Sequence, residues 1–221
     1  VSEVIGKLSA SVAPPLVVVH ADAHCVVADK PAGLLCVPGR GSDKQDCLSA
    51  RVQAVHASAL VVHRLDMATS GLCLFALGPG MQRAFSRAFA ERTVHKRYEA
   101  VVHGALRDTA GEIDLPLAAD WPRRPLQKVD EVAGKPSRTR WQVLGPGPLP
   151  GTTRLALEPL SGRTHQLRVH LLAIGHPIVG DALYAPDGVP QAPRLLLHAC
   201  TLQLDHPATG TRVAWHSPAP F

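Results

Sequence analysis

Two short polar islands carry the side chains with the most chemistry. The first, His63-Arg64-Leu65-Asp66-Met67-Ala68-Thr69-Ser70-Gly71, lies between an apolar run and a strand signal, where a loop can hold polar groups against a scaffold. It offers a carboxylate at Asp66 and an imidazole at His63. Taken alone, Asp66 reads as a turn or cap aspartate beside small residues, and His63 reads equally as a packed histidine or a base. The second island, Ser161-Gly162-Arg163-Thr164-His165-Gln166-Leu167-Arg168-Val169-His170, runs from a strand end into a helix. Leu167, Leu171 and Ile174 fall on the core-facing stripe, while Arg168 and Thr164 project along another edge. An arginine placed there can be a surface residue or can meet a carboxylate, and a helix start dense in donors can hold an anion.

The elements that must position these islands are legible from period and punctuation. Residues 16–20 and 25–29 are β-branched runs around a polar turn and predict two strands. Leu48, Val52 and Val55 recur at helical spacing behind Ser42 and Asp43, predicting a helix over 43–57. A strand over 72–77 ends at Gly78-Pro79-Gly80, after which Met81, Phe85, Ala88 and Phe89 mark a second helix with Arg83, Arg87 and Arg92 on its other faces. Further strands are predicted at 98–103, 139–144, 154–160, 195–199 and 212–215. A short helix over 166–174 is closed by Gly175, with Pro177 beyond it. Strands outnumber helices and come in adjacent pairs, so the expected fold is α+β, with a mainly antiparallel mixed sheet flanked by a few helices and loops. The Pro/Gly cluster at 145–151 is a surface loop, residues 1–15 a terminal extension, and 16–221 a single domain.

Composition narrows the partners. The 221 residues carry 23 basic and 18 acidic side chains, a net charge of +5 that permits a polyanionic partner without requiring one. The 17 Arg against 6 Lys suit bidentate phosphate contacts, although an Arg-rich genome would give the same skew. Nine aromatics, widely scattered, are too few for a sheet that stacks bases in series. The five cysteines show no thiolate-knuckle spacing and read as small buried hydrophobes in a reducing compartment. Twelve histidines include no His-Glu-x-x-His pair, and His165 and His170 stand on different helical faces, so no metal is expected. Short apolar runs and no charged-then-apolar leader predict a cytoplasmic protein with no membrane partner.

Together the islands form a recognisable pair. HRLDMATSG with GRTHQLRVHLLAIGHPIVGDALY resembles the catalytic motifs of the RluA-type family of RNA pseudouridine synthases, and KPAGLLCVPGR and KRYEAVVHG fall where that family carries its other motifs. The resemblance runs from about residue 15 to the end. DLPLAADWPRRPLQKV and APRLLLHACTLQLDHP look most like the short, dual-specificity members, which modify large-subunit (23S) ribosomal RNA and a transfer-RNA anticodon stem-loop. The resemblance implies a catalytic domain over 16–221 with a cleft across its sheet. It implies that Asp66 acts at the ribose C1′ or C2′ while the base is detached from N1, turned and rejoined through C5. Arg168 matches the arginine paired with that aspartate, Tyr98 the tyrosine that packs on the target base, and Arg64 the arginine that fills the space left by the flipped nucleotide. Lys30, Pro31, Arg163 and His165 match supporting positions. Many relatives carry an S4 RNA-binding domain ahead of the catalytic one; none is expected here, so recognition would fall on Arg123, Arg124 and Lys128 with Trp121, Pro122 and Gln127, or on the Arg83, Arg87 and Arg92 face.

Elementary chemistry agrees with such a reaction. Moving a base between two glycosidic bonds has no redox step, so a carboxylate in a closed pocket can suffice and no cofactor is expected. Burial tends to protonate a carboxylate, whereas an arginine within ~4–6 Å favours its charged form, so Asp66 and Arg168 must be neighbours. The target atoms are hidden in stacked RNA, so the nucleotide must be everted at a cost of a few kcal/mol. The expected partner is structured RNA, with the chain a monomer needing no protein partner. Three other readings are the same chemistry on a different RNA substrate, an RNA-binding or ribosome-assembly factor without turnover, and a glycoside hydrolase pairing Asp66 with Glu112 or Asp114, for which no motif places the second carboxylate.

Overall fold

The structure is a computed structural model and describes residues 15–185 and 192–221. The predicted terminal extension, apart from residue 15, lies outside the described residues. Twelve strands and three α-helices run in the order β1 (Val17–Ala21), β2 (Cys25–Lys30), α1 (Leu48–Val55), β3 (Ala59–Val61), β4 (Ser70–Leu77), α2 (Pro79–Ala90), β5 (His95–His103), β6 (Ala110–Asp114), β7 (Leu117–Ala119), β8 (Gln127–Val129), β9 (Arg138–Pro146), β10 (Thr152–Pro159), α3 (Gln166–Ala173), β11 (Leu197–Asp205) and β12 (Arg212–His216) among the described residues.

Ten strands form one sheet whose main path is β1-β2-β4-β11-β5-β10-β9-β6, with β12 beside β11 and β3 beside β4; β7 and β8 form a separate hairpin. Every pairing is antiparallel except β4 with β11, which gives the mixed, mainly antiparallel α+β architecture expected. The parallel contact depends on Gly71. Its φ of 111° suits glycine, and a side chain there would run into the backbone of Ala199.

Alternation along β4 feeds two separate cores. Leu72, Leu74 and Ala76 join Phe85 of α2 with Leu202, Leu204 and Trp215, while Cys73 and Phe75 join Leu48 and Val52 of α1. A third core places Leu167 and Leu171 of α3 over Ala100, Leu155, Leu157 and Leu197. The centre of the sheet is therefore fixed from both faces, and the loop leading into β4 inherits that rigidity.

Several boundaries differ from the sequence reading. The helix predicted over 43–57 is a 3-10 turn, Ser42–Lys44, followed after a break by α1. Gln45 spends its amide on the carbonyls of Gly39 and Gly41, and Leu35 bridges Cys47, so tertiary bonds win over helical continuity. The strand expected over 195–199 runs instead from Leu197 to Asp205, because β5 and β12 satisfy its polar second half. β3, β6, β7 and β8 were not foreseen; they are short and half-polar, and their hydrogen-bonding partners define them. No helix among the described residues is long and apolar enough to cross a membrane.

Candidate active site

The two islands meet on the face of the sheet that carries α3. Arg64, Leu65 and Asp66 from the loop before β4, Tyr98 from β5, and His165, Gln166, Leu167 and Arg168 from the start of α3 line a cavity of about 100 Å³. A larger cavity of about 740 Å³ adjoins it and shares Arg64, Leu65, Asp66, His165 and Arg168. Leu65 is buried and pins the loop, so its neighbours Arg64, exposed, and Asp66, with a side chain 22% exposed, face the opening.

The loop is also held from below. Lys30, fully buried at the end of β2, donates from Nζ to the carbonyls of Pro31, Leu34 and Met67 at 2.9, 2.8 and 2.9 Å. Burial lowers its pKa to about 8. Gly33 N–H adds a second bond to Met67 O at 2.9 Å. The backbone beside Asp66 is thus tied to β2 as well as to β4.

Arg168 reaches the carboxylate in a particular way. Its Nη1 is 3.7 Å from Asp66 Oδ2, whereas Nε and Nη2 donate to the two oxygens of Asp181 at 2.7 and 2.6 Å. Both Arg168 and Asp181 are buried. Burial works against the guanidinium, but the hydrogen bonds and charge of Asp181, with the charge of Asp66, raise its pKa overall. Asp181 Oδ1 also accepts the N–H groups of Leu183 and Tyr184 at 3.0 and 3.2 Å. Asp181 is saturated, and Asp66 keeps its carboxylate toward the cavity.

His165 completes the cluster. It precedes α3 in the left-handed region, φ 54°, and brings Nε2 to 3.9 Å from Asp66 Oδ1. Its Nδ1 lies 2.7 Å from the Tyr184 hydroxyl, which accepts the Gln127 N–H at 2.8 Å. The Tyr184 hydroxyl thereby links the start of α3 to β8 and fixes the orientation of the His165 ring, whose Nε2 faces Asp66. Burial pushes the His165 pKa down. Tyr98 lines the same cavity, and burial together with the charge of Asp66 pushes its phenol pKa up, so its hydroxyl stays protonated.

Other candidates separate from the site. His63 is a packed histidine: Nε2 accepts the Leu74 N–H at 3.0 Å and the ring stacks on Phe89, centroids 4.4 Å apart. Glu112 and Asp114 lie on β6, ion-paired with Arg138 and Arg140, and line neither cavity, so the two-carboxylate hydrolase arrangement is not formed. Arg123 pairs with Asp120 at 2.6 Å and Lys128 with Asp130 at 3.1 Å, while Arg124 lies 3.5 Å over the Trp121 ring. Pro125, next in the chain, lines the larger cavity, so this segment borders its rim. Arg83, Arg87 and Arg92 are exposed on or just beyond α2. His20, Asp22 and Cys25 offer donor atoms within 4.8 Å of one another, in the β1–β2 hairpin outside the cleft. There Asp22 Oδ1 already accepts the N–H groups of His24 and Cys25 at 2.7 and 2.8 Å. Sequence reasoning assigned no role to Asp181 or Tyr184; both stand in the GDALY end of the second motif, which was their one signal.

A carboxylate, a guanidinium and an aromatic hydroxyl thus surround a small cavity that opens into a larger one lined by Arg64, Arg168 and Arg194. A family model described as RNA pseudouridylate synthase matches residues 24–173. The chain is 47% identical over 209 residues to the dual-specificity RNA pseudouridine synthase RluA of Escherichia coli (strain K12), covering 94% of this chain and 95% of that protein. It is 47% identical to the protein of the same description from Yersinia pestis, covering 93% of this chain and 100% of that one. Among solved structures, human RNA Pseudouridylate Synthase Domain Containing 1 superposes with a TM-score of 0.79 at 29% identity, over 93% of this chain and 84% of that one. The matches make this chain an RNA-modifying isomerase. The chain belongs to the RluA-type family of RNA pseudouridine synthases.

Proposed function

We propose that Asp66 is the catalytic carboxylate of this synthase, and that its substrates are structured stem-loops of large-subunit (23S) ribosomal RNA, transfer-RNA anticodon arms, or both. The carrying observation is the division of labour between two aspartates. Arg168 is engaged bidentately by Asp181, so Asp66, at 3.7 Å from Nη1, receives its charge while keeping oxygens free for the ribose. With uridine in the cavity, Asp66 acts at C1′ or C2′ as the N1 bond breaks. The detached uracil turns beneath Tyr98 and rejoins through C5, and the proton displaced from C5 is matched by one gained at N1. Atoms are conserved, and the closed pocket retains the base between the two bonds.

Arg64, exposed beside Asp66, takes the space of the everted nucleotide, and Arg124 on Trp121 with Arg123 and Lys128 grips the surrounding stem. Residues 16–221 form the catalytic domain, acting as a cytoplasmic monomer with no obligatory protein partner. The relatives' description as dual-specificity enzymes, at matching length, supports recognition by this domain.

The test is direct. Purified protein is incubated with 23S ribosomal and transfer-RNA transcripts without added metal or nucleotide, and pseudouridine is mapped. Product at defined uridines with the wild type and none with Asp66→Asn is expected. Undiminished product from Asp66→Asn would overturn the assignment.

A further inference from the structure

Behind the loop that carries Asp66 lie two thiols that the synthase chemistry does not use. Cys36, in the segment after β2, and Cys73, on β4, have their sulfur atoms 3.5 Å apart, and both are free. They are 4% and 0% exposed. Cys36 is nevertheless among the residues that line the larger cavity together with Arg64 and Asp66. Cys73 sulfur lies 3.7 Å from the carbonyl of His63. The pair therefore touches the catalytic loop just before Arg64. The ammonium of Lys30 interacts with both sulfur atoms.

These surroundings select Cys36 as the reactive partner. Contact with Cys73 sulfur, aided by the Leu65 N–H and the charges of Lys30 and Arg64, holds the Cys36 thiol below its ordinary pKa despite burial, while Cys73 is raised. Burial pushes Cys25 and Cys200 up to about 12. Thiolate character and access govern oxidation, and here they coincide at one cysteine with a second in contact.

We propose that Cys36 and Cys73 are an oxidisable dithiol, closed to a disulfide by a hydroperoxide entering through the cleft, and that closure draws Cys73 sulfur away from the His63 carbonyl and so disables the catalytic loop. In the first step the Cys36 thiolate attacks a peroxide oxygen, the O–O bond breaks, and hydroxide leaves and is protonated to water. In the second, Cys73 sulfur attacks the Cys36 sulfenic acid, the S–O bond breaks, and the departing hydroxide takes the Cys73 proton. Two thiols lose two electrons and one hydrogen peroxide becomes two waters. A disulfide bond of ~2.05 Å requires the sulfur atoms to approach by about 1.5 Å. Displacements of about 1 Å at a catalytic group can cost ~10²-fold in rate.

The full-length reduced protein is treated with hydrogen peroxide, quenched with catalase, alkylated under denaturing conditions and mapped by peptide mass. A Cys36–Cys73 cross-link is expected, with Cys25, Cys47 and Cys200 still alkylated. Pseudouridine formation should fall by roughly 10- to 100-fold and return after a thiol reductant. Cys73→Ser, which keeps a hydrogen-bond donor beside Cys36 but no resolving sulfur, should give no cross-link and leave a Cys36 sulfenic acid that dimedone traps. Absence of the cross-link, preferential oxidation of another cysteine, or a cross-linked protein of unchanged activity would each overturn the proposal. The activity measurement rests on the synthase reading, whereas the cross-link does not: reduced protein inactive on every transcript would fail that reading while peptide mass still decides the dithiol.

Discussion

Arg168 gives its bidentate edge to Asp181, at 2.6 and 2.7 Å, and only Nη1 to Asp66, at 3.7 Å. The arginine is thereby oriented by one carboxylate and presented to another. Breaking a buried pair by removing one partner costs about 3–5 kcal/mol, because the other charge is left uncompensated. Asp181→Asn should lower the midpoint of urea unfolding and reduce kcat by about tenfold or more, with a smaller change in KM. An unchanged kcat would show that Arg168 needs no second carboxylate to hold it.

Asp66 makes no comparably short ion pair: Arg168 Nη1 stands at 3.7 Å and the His165 imidazole at 3.9 Å. Asp66→Asn should therefore leave thermal unfolding within about 1 kcal/mol of wild type and still bind RNA, while losing all measurable turnover. Binding measured by filter retention, beside unfolding, separates this from a folding defect.

Tyr184 holds two elements at once, taking the Gln127 N–H and facing His165 Nδ1. Tyr184→Phe strands that N–H at a cost of about 1–3 kcal/mol and removes the hydrogen bond that orients the His165 ring. The expected outcome is a modest stability loss with a fall in kcat of roughly tenfold. A variant that lost stability but kept kcat would make Tyr184 a packing residue alone.

Rim cations differ in availability. Arg123 and Lys128 are paired with Asp120 and Asp130, whereas Arg124 lies on Trp121. Arg124→Ala should weaken RNA binding more than Arg123→Ala and lower the slope of log K against log salt by about 1. Titrations at several salt concentrations read this directly.

His63 is neutral in the fold, its pKa lowered from 6.5 to about 3 by burial. Between those values the unfolded chain binds more protons than the native one, so this residue's contribution to stability is intact above pH 6.5 and is lost as pH falls toward 3. His63→Gln should be less stable than wild type near neutrality, and the difference should narrow in acid, as denaturant midpoints across that pH range would show.

Most of the architecture was legible in the chain because period and punctuation are local properties. The alternation in β4, the stripe of α2 behind Pro79 and the closure of α3 at Gly175 depend on neighbours a few residues away. β3, β6, β7 and β8 were not, because short polar strands exist only by virtue of the chain they pair with. The interruption before α1 has the same cause: Gln45 and Cys47 are claimed by distant backbone.

The site divides along the same line. Residue type drew attention to Asp66 and Arg168, the resemblance to the family's motifs added Tyr98 and Arg64, and the chemistry it implies required the first two to be neighbours across about a hundred residues of chain. Their distance, the prior claim of Asp181 on the guanidinium, the His165 ring beside Asp66, and the contact of Cys36 with Cys73 were decided by tertiary structure alone. Sequence specifies which groups are present and which local shapes carry them. Which carboxylate is saturated and which stays free, or which two sulfurs touch, follows from packing between segments far apart in the chain.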